Sequence, residues 1–216
     1  MNARAASVPA DSALIEVDQG LALTIAERGW AHVRAFLPDP IWKSLATELR
    51  AAQAEDKLRR AGIGSGEGYR LAEEFRGDRI RWLERAPASA AQRQVLARLE
   101  QLRLTCNREL QLGLFEFEGH FAVYPEGAGY CRHRDQPRDS DARVLSCVLY
   151  LNEAWQPQDG GALRLYVDEH GEARHVDILP EGGALVCFLS AHFFHEVVPA
   201  RRERLSLTGW FRRRAD

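Results

Sequence analysis

Tyr124-Pro-Glu-Gly-Ala-Gly-Tyr-Cys-Arg-His-Arg-Asp135 ends on a histidine and an aspartate two residues apart. On an extended strand that spacing turns His133 and Asp135 to one face, so an imidazole and a carboxylate converge on a point. A third ligand must come from elsewhere. His195 is the best candidate, in the apolar, strand-like run His192-Phe-Phe-His-Glu-Val-Val-Pro199. Two histidines and a carboxylate with coordination positions left open suit a non-haem Fe(II) centre that uses O2. His192 is the rival ligand. Opposite strand parity and the nine-residue step from His195 to Arg204 favour His195.

An isolated His-x-Asp carries little weight, since two solvated residues on a surface strand give the same pattern. Arg204-Leu-Ser-Leu-Thr-Gly-Trp-Phe211 adds to it. Period two places Arg204, Ser206, Thr208 and Trp210 on one face and Leu205, Leu207 and Phe211 on the other. An arginine inside a barrel needs an anionic partner, because an unpaired buried guanidinium is costly. A dicarboxylate cosubstrate held by a bidentate pair would supply it.

With 216 residues, 45% hydrophobic and 28% charged, the chain is expected to form one soluble globular domain. A formal net charge of −2 argues against general attraction to nucleic acid or anionic membranes, and Arg212-Arg213-Arg214 reads as a solvated tail. No apolar run has the length of a membrane span, and the N-terminus lacks a signal-peptide core. Cys106, Cys131, Cys147 and Cys187 form no Cys-x-x-Cys pair, which excludes a zinc knuckle; Cys147 and Cys187 read as small core residues. The expected compartment is the cytoplasm.

Residues 1–12 are expected to be a flexible N-terminus, with a single domain over 13–216. Helical support is expected over about 18–110: a short helix at 18–29, a strand at Trp30–Leu37, a helix starting with Asp39 as N-cap and Pro40 at N1, a strand at Arg79–Glu84, and a helix opened by a capping box at Ser89 and Gln92. Gly62-Ile-Gly-Ser-Gly-Glu-Gly68 reads as a flexible loop that could close over a bound peptide, because it follows no strand and lacks a phosphate-binding ending. From Phe115 to 211, short runs at Phe115–Tyr124, Val144–Leu151, Leu163–Val167, His175–Leu179, Ala184–Leu189, Phe194–Val198 and Leu205–Phe211 alternate with glycine and proline turns. The fold class expected is α+β, with a jelly-roll core backed by N-terminal helices. His32, His120, His170 and His175 have no partner pattern and read as structural or exposed.

Over residues 20–211 the chain resembles the prolyl-4-hydroxylase-domain family of Fe(II)/2-oxoglutarate dioxygenases, relatives of the oxygen-sensing hydroxylases of hypoxia-inducible factor. Tyr-Pro-x-Gly-x-Gly-Tyr-x-Arg-His-x-Asp at 124–135, Cys147-Val-Leu-Tyr-Leu-Asn152 with Trp155, Gly160-Gly-x-Leu-Arg164, His195-Glu-Val197, Arg204 with Thr208-x-Trp210, and Arg76-Gly-Asp-x-Ile-x-Trp82 carry the match. The resemblance implies a double-stranded β-helix, Fe(II), 2-oxoglutarate and O2, ascorbate as reductant, and hydroxylation of a prolyl residue in a protein with release of succinate and CO2. Carried onto this sequence, it implies iron ligation by His133, Asp135 and His195, and cosubstrate binding by Arg204, Tyr150, Tyr124, Thr208 and Leu163. Arg143, Arg76, Asp78 and Trp210 would face the substrate. The compact chain suggests a bacterial member, and bacterial members point to elongation factor Tu as a target. The alternatives are an oxygenase of a free amino acid or ribosomal protein, and a non-catalytic 2-oxoglutarate and iron sensor.

Overall fold

The computed structural model describes residues 10–62, 74–84, 86, 89–137, 140–168 and 174–214, with side chains from residue 15. Three helices, α1 (Ala10–Arg28), α2 (Asp39–Ala54) and α3 (Ala90–Leu110), precede most of the strands. The strands are β1 (Trp30–Val33), β2 (Arg59–Arg60), β3 (Arg79–Trp82), β4 (Glu116–Tyr124), β5 (Tyr130–His133), β6 (Arg143–Tyr150), β7 (Leu163–Tyr166), β8 (His175–Ile178), β9 (Leu185–Leu189), β10 (His195–Val197) and β11 (Arg204–Arg212). They form a seven-stranded sheet, β1-β9-β6-β11-β4-β3-β2, and a four-stranded sheet, β5-β10-β7-β8. All named pairings are antiparallel. This is the expected mixed fold with a two-sheet core.

The large sheet is covered on both faces, which is why β6 is buried along nearly its whole length. On one face Leu145, Cys147, Leu149, Leu205, Leu207 and Phe211 join the apolar stripes of the helices in a single core. On the other, Val148 and Tyr150 pack with Leu163 and Leu165 of the small sheet. The alternation in β11 is therefore real: odd positions seal the helix side, and even positions face the space between the sheets. Arg98 of α3 forks onto Asp18 of α1 with two bonds of 2.6 Å, a buried ion pair joining the two helices.

Several local expectations shift. The first helix begins at Ala10, not near residue 18, and β1 stops at Val33. Pro38 is the N-cap of α2; the Asp39 carboxylate instead accepts from Trp42 Nε1 at 3.0 Å and from Lys43 Nζ at 2.6 Å. Ser89 does cap α3, its Oγ accepting from the Gln92 N–H at 3.0 Å, while the Gln92 amide reaches Glu48 of α2. Arg212 is not tail: it ends β11 and pairs with Glu118 at 2.6 Å, and Arg213 pairs with Asp141 at 2.8 Å. The expected flexible stretch at 1–12 lies outside the described residues up to residue 9, as do residues 63–68 of the glycine run and His170. No described helix is long and apolar enough to cross a membrane.

Candidate active site

Antiparallel pairing of β5 with β10 sets His195 directly opposite His133. The strand ends at His133 and the chain bends, so Asp135 arrives from the bend and not from a shared strand face as the spacing suggested. One ligand atom from each of the three residues falls within 4.8 Å of the others. His133 Nε2 lies 3.5 Å from one Asp135 oxygen and His195 Nε2 3.6 Å from the other. Each Nδ1 faces a backbone carbonyl two residues back, Cys131 O at 2.8 Å and Phe193 O at 3.4 Å. A ring whose Nδ1–H donates to a carbonyl presents its Nε2 lone pair, the tautomer a metal needs. Burial works against the Asp135 charge, but His195, His133 and the Ser146 hydroxyl outweigh it and hold the carboxyl well below its usual range. Burial, then His133, pushes His195 down to about 4, so its imidazole is neutral. Two imidazoles and a carboxylate fit a ferrous ion with open positions. His192 is exposed and lies outside this cluster.

Arg204 begins the inward face of β11 and is 1% exposed. Its Nε donates to Gly161 O at 2.9 Å, while its Nη2 is buried with no hydrogen-bond partner. The guanidinium carbon lies 5.2 Å from the ring centres of both Tyr124 and Tyr150. The Tyr150 hydroxyl is likewise buried without a partner; burial pushes it up to about 12, against the pull of Arg204. A cation and a hydroxyl, both orphaned side by side, fit the distal carboxylate of 2-oxoglutarate. The neighbouring motifs hold Arg204 in place. Asn152 accepts from Leu205 N–H at 2.7 Å and donates to Leu205 O at 3.0 Å, pinning the start of β11. Trp155 Nε1 donates to Gly160 O at 2.9 Å. Gly161 has φ +66°, and a Cβ there would meet Ala200 and Trp155 at 2.9 Å, so only glycine presents this carbonyl.

A cavity of about 670 Å³ joins these groups. Of the sequence-derived site residues, His133, Asp135, His195, Arg204, Tyr124, Thr208, Leu163, Arg143, Arg76 and Trp210 all line it. Tyr150 sits behind Arg204, fully buried. Asp78 does not line the cavity: its side chain is fully buried behind Arg76, held by a fork of 2.6 and 2.9 Å. It orients Arg76 and does not itself face a substrate.

Other wall residues were not assigned to the site from the sequence, Tyr130, Glu118 and His120 among them. Tyr130 stacks on His133, with ring centres 3.7 Å apart, and Arg76 lies over its outer face at 4.8 Å; its position within the 124–135 motif was the available signal. Glu118 accepts from Arg212 at 2.6 Å and meets Arg143 at 3.4 Å. His120, read as structural or exposed, is 1% exposed on the cavity wall, clustered with Trp82 and Trp210, whose rings lie 4.9 and 5.6 Å from its own and 6.4 Å from each other. Its signal is parity: it shares a face of β4 with Tyr124.

Residues 119–212 match the family model described as the 2OG-Fe(II) oxygenase superfamily. A crystal structure of a Pseudomonas putida prolyl-4-hydroxylase is 46% identical, with a TM-score of 0.82, over 92% of this chain and 100% of that one. A Trichoplax adhaerens prolyl hydroxylase, in complex with a peptide fragment of the hypoxia-inducible factor oxygen degradation domain, is 25% identical with a TM-score of 0.82, over 93% of this chain and 91% of that one. Human Egl nine homolog 1 is 31% identical over 193 residues, 86% of this chain and 44% of its own length. The chain thus spans about half the length of the first curated relatives it matches.

Proposed function

The chain belongs to the prolyl hydroxylase-domain family of the 2OG-Fe(II) oxygenases, and on that premise we propose that it hydroxylates a prolyl residue, at the 4-position, within another protein. Elongation factor Tu is the first candidate substrate, and the cytoplasm the compartment. The observation that carries the reading is one cavity lined by both a two-histidine, one-carboxylate cluster and an orphaned guanidinium, with an orphaned phenol packed against that guanidinium.

His133, Asp135 and His195 would hold Fe(II). Arg204 and Tyr150 would hold the distal carboxylate of 2-oxoglutarate, with Tyr124, Thr208 and Leu163 closing the pocket around it. When bound, Fe(II) and 2-oxoglutarate supply oxidation of the cosubstrate to succinate and CO2 and insertion of one oxygen atom from O2 into a substrate C–H bond. The chain's own residues bind, orient and exclude water. Arg204 replaces the hydration of the carboxylate with fixed donors. Tyr130, stacked on His133, shields one side of the ligand cluster. Arg76, aligned by Asp78, joins Arg143 and Trp210 in the outer wall, where a peptide would be positioned with its target carbon against the iron. No side chain acts as a nucleophile.

The test is mass spectrometry of a lysate treated with purified protein, Fe(II), 2-oxoglutarate and ascorbate as reductant, with Arg204→Ala as control. One proline gaining about 16 Da, the mass of one inserted oxygen atom, only with the intact protein, supports the reading and names the substrate. Succinate release with small molecules but no modified protein refutes it in favour of a metabolite oxygenase. Binding of both ligands with no succinate refutes it in favour of a sensor.

A further inference from the structure

Arg204 and Tyr150 are not the only orphaned groups near this cavity. Two more buried donors belong to its outer wall, His120 Nδ1 and Trp210 Nε1, each without a hydrogen-bond partner. Their side chains are 1% and 4% exposed, and their rings lie 5.6 Å apart. The proton on His120 is placed by its neighbour. Arg76 Nη2, which can only donate, lies 3.3 Å from His120 Nε2, and the Asp78 fork holds Arg76 there. Nε2 therefore accepts and Nδ1 carries the hydrogen. Burial, then Arg76 and Arg143, pushes His120 down to about 3, so the ring stays neutral. Both groups are thus neutral N–H donors, and a buried donor left unpaired is costly.

Their place along the sheet sets them away from Arg204, the group that would hold the distal carboxylate of the cosubstrate. His120 pairs with Thr208 and Trp210 with Glu118, while Arg204 pairs with Tyr124. Six residues of extended chain separate Arg204 from Trp210, about 20 Å at the rise of a strand. The charges around the two donors already have partners: Arg76 pairs with Asp78, and Arg143 and Arg212 with Glu118. A subsite with neutral donors and compensated borders suits a neutral acceptor better than a carboxylate.

We infer that His120 and Trp210 form a two-donor subsite for a backbone amide carbonyl of the substrate chain, beside the residue to be hydroxylated. His120 is thereby a specificity-determining residue: its Nε2 locks Arg76 and its Nδ1–H meets the substrate. The inference rests on reading the cavity as a peptide-hydroxylation site.

The experiment is a binding titration that needs no turnover. Nitrogen-15-labelled protein is loaded with Zn(II) and 2-oxoglutarate, and the peptide N-acetyl-Ala-Ala-Pro-Ala-Ala-amide is added. The Trp210 indole N–H signal, assigned by its loss in Trp210→Phe, is expected to move downfield on binding. His120→Met, apolar and similar in volume, is expected to weaken the peptide about fivefold, the share of one neutral hydrogen bond, with 2-oxoglutarate affinity retained. Trp210→Phe, which keeps a ring in the wall, is expected to weaken it by a similar factor, and His120→Asn to restore part of the loss. A peptide that binds without moving the indole signal, an affinity indifferent to His120→Met, or no binding up to the solubility limit overturns the inference. A moving signal with no hydroxyproline in the lysate assay would leave the subsite standing and remove the proposed activity.

Discussion

Arg204→Met separates a cation kept for a ligand from one kept for the fold. In the protein alone the guanidinium is 1% exposed, bonded through Nε to Gly161 O at 2.9 Å, with its Nη2 unpaired. Methionine is unbranched and fills a similar space. Removing a poorly compensated buried charge in favour of an apolar side chain stabilises by about 1–4 kcal/mol. Leaving the Gly161 carbonyl without its donor costs about 1–3 kcal/mol. The two nearly cancel, so the ligand-free variant should unfold within about 2 kcal/mol of wild type, a Tm change under about 8 °C for a chain of this size. Ligand binding should behave differently. Truncating one member of a buried, hydrogen-bonded charge pair costs about 2–5 kcal/mol, which weakens 2-oxoglutarate by roughly 30-fold to several thousand-fold. The assay is thermal unfolding of Mn(II)-loaded protein with and without 2-oxoglutarate. At about 100 times the wild-type Kd, wild type gains about 2.7 kcal/mol, or about 5–11 °C; the variant should gain less than about 0.9 kcal/mol at the same concentration. A retained 2-oxoglutarate shift would show that Arg204 does not hold the cosubstrate. A ligand-free loss beyond about 4 kcal/mol would contradict an uncompensated cation.

Two further outcomes follow from other groups. In the metal-free protein, His195 and His120 have folded pKa values of about 4 and about 3 against 6.5 for an ordinary imidazole. Because the unfolded chain binds more protons between those limits, stability should be full above about pH 6.5 and fall as the pH drops, by about 2 kcal/mol per imidazole at pH 5, in urea unfolding; equal stability at pH 7 and pH 5 would contradict this, and His120→Met should remove one share. Asp78→Ala strips the only carboxylate from a buried fork and should cost about 3–5 kcal/mol in denaturant unfolding, whereas Arg76→Met with Asp78→Leu should recover most of it; an Asp78→Ala cost below about 1 kcal/mol would mean water already shares the load.

The sequence alone determined what depends on residue type and near spacing. The cluster of His133, Asp135 and His195 was legible as a candidate metal site because few side chains bind a ferrous ion and His-x-Asp is local. Arg204 was legible because period two in β11 forces it to the face opposite Leu205 and Leu207, and a buried cation demands an anion. Tyr130, Glu118 and His120 were not legible as wall residues, because β4 and β5 became neighbours of the cavity only through pairing with β11 and β10, strands distant in the chain. Arg212 looked like tail for the same reason: a terminal basic run becomes strand only when Glu116 and Glu118 lie beside it. Tertiary structure alone also decided that Asp78 points away from the cavity to anchor Arg76, and that Asp135 reaches the cluster from a bend. Residue chemistry is written in the chain, but a side chain's partner depends on which strands pair, and that is settled by burying both faces of one sheet at once.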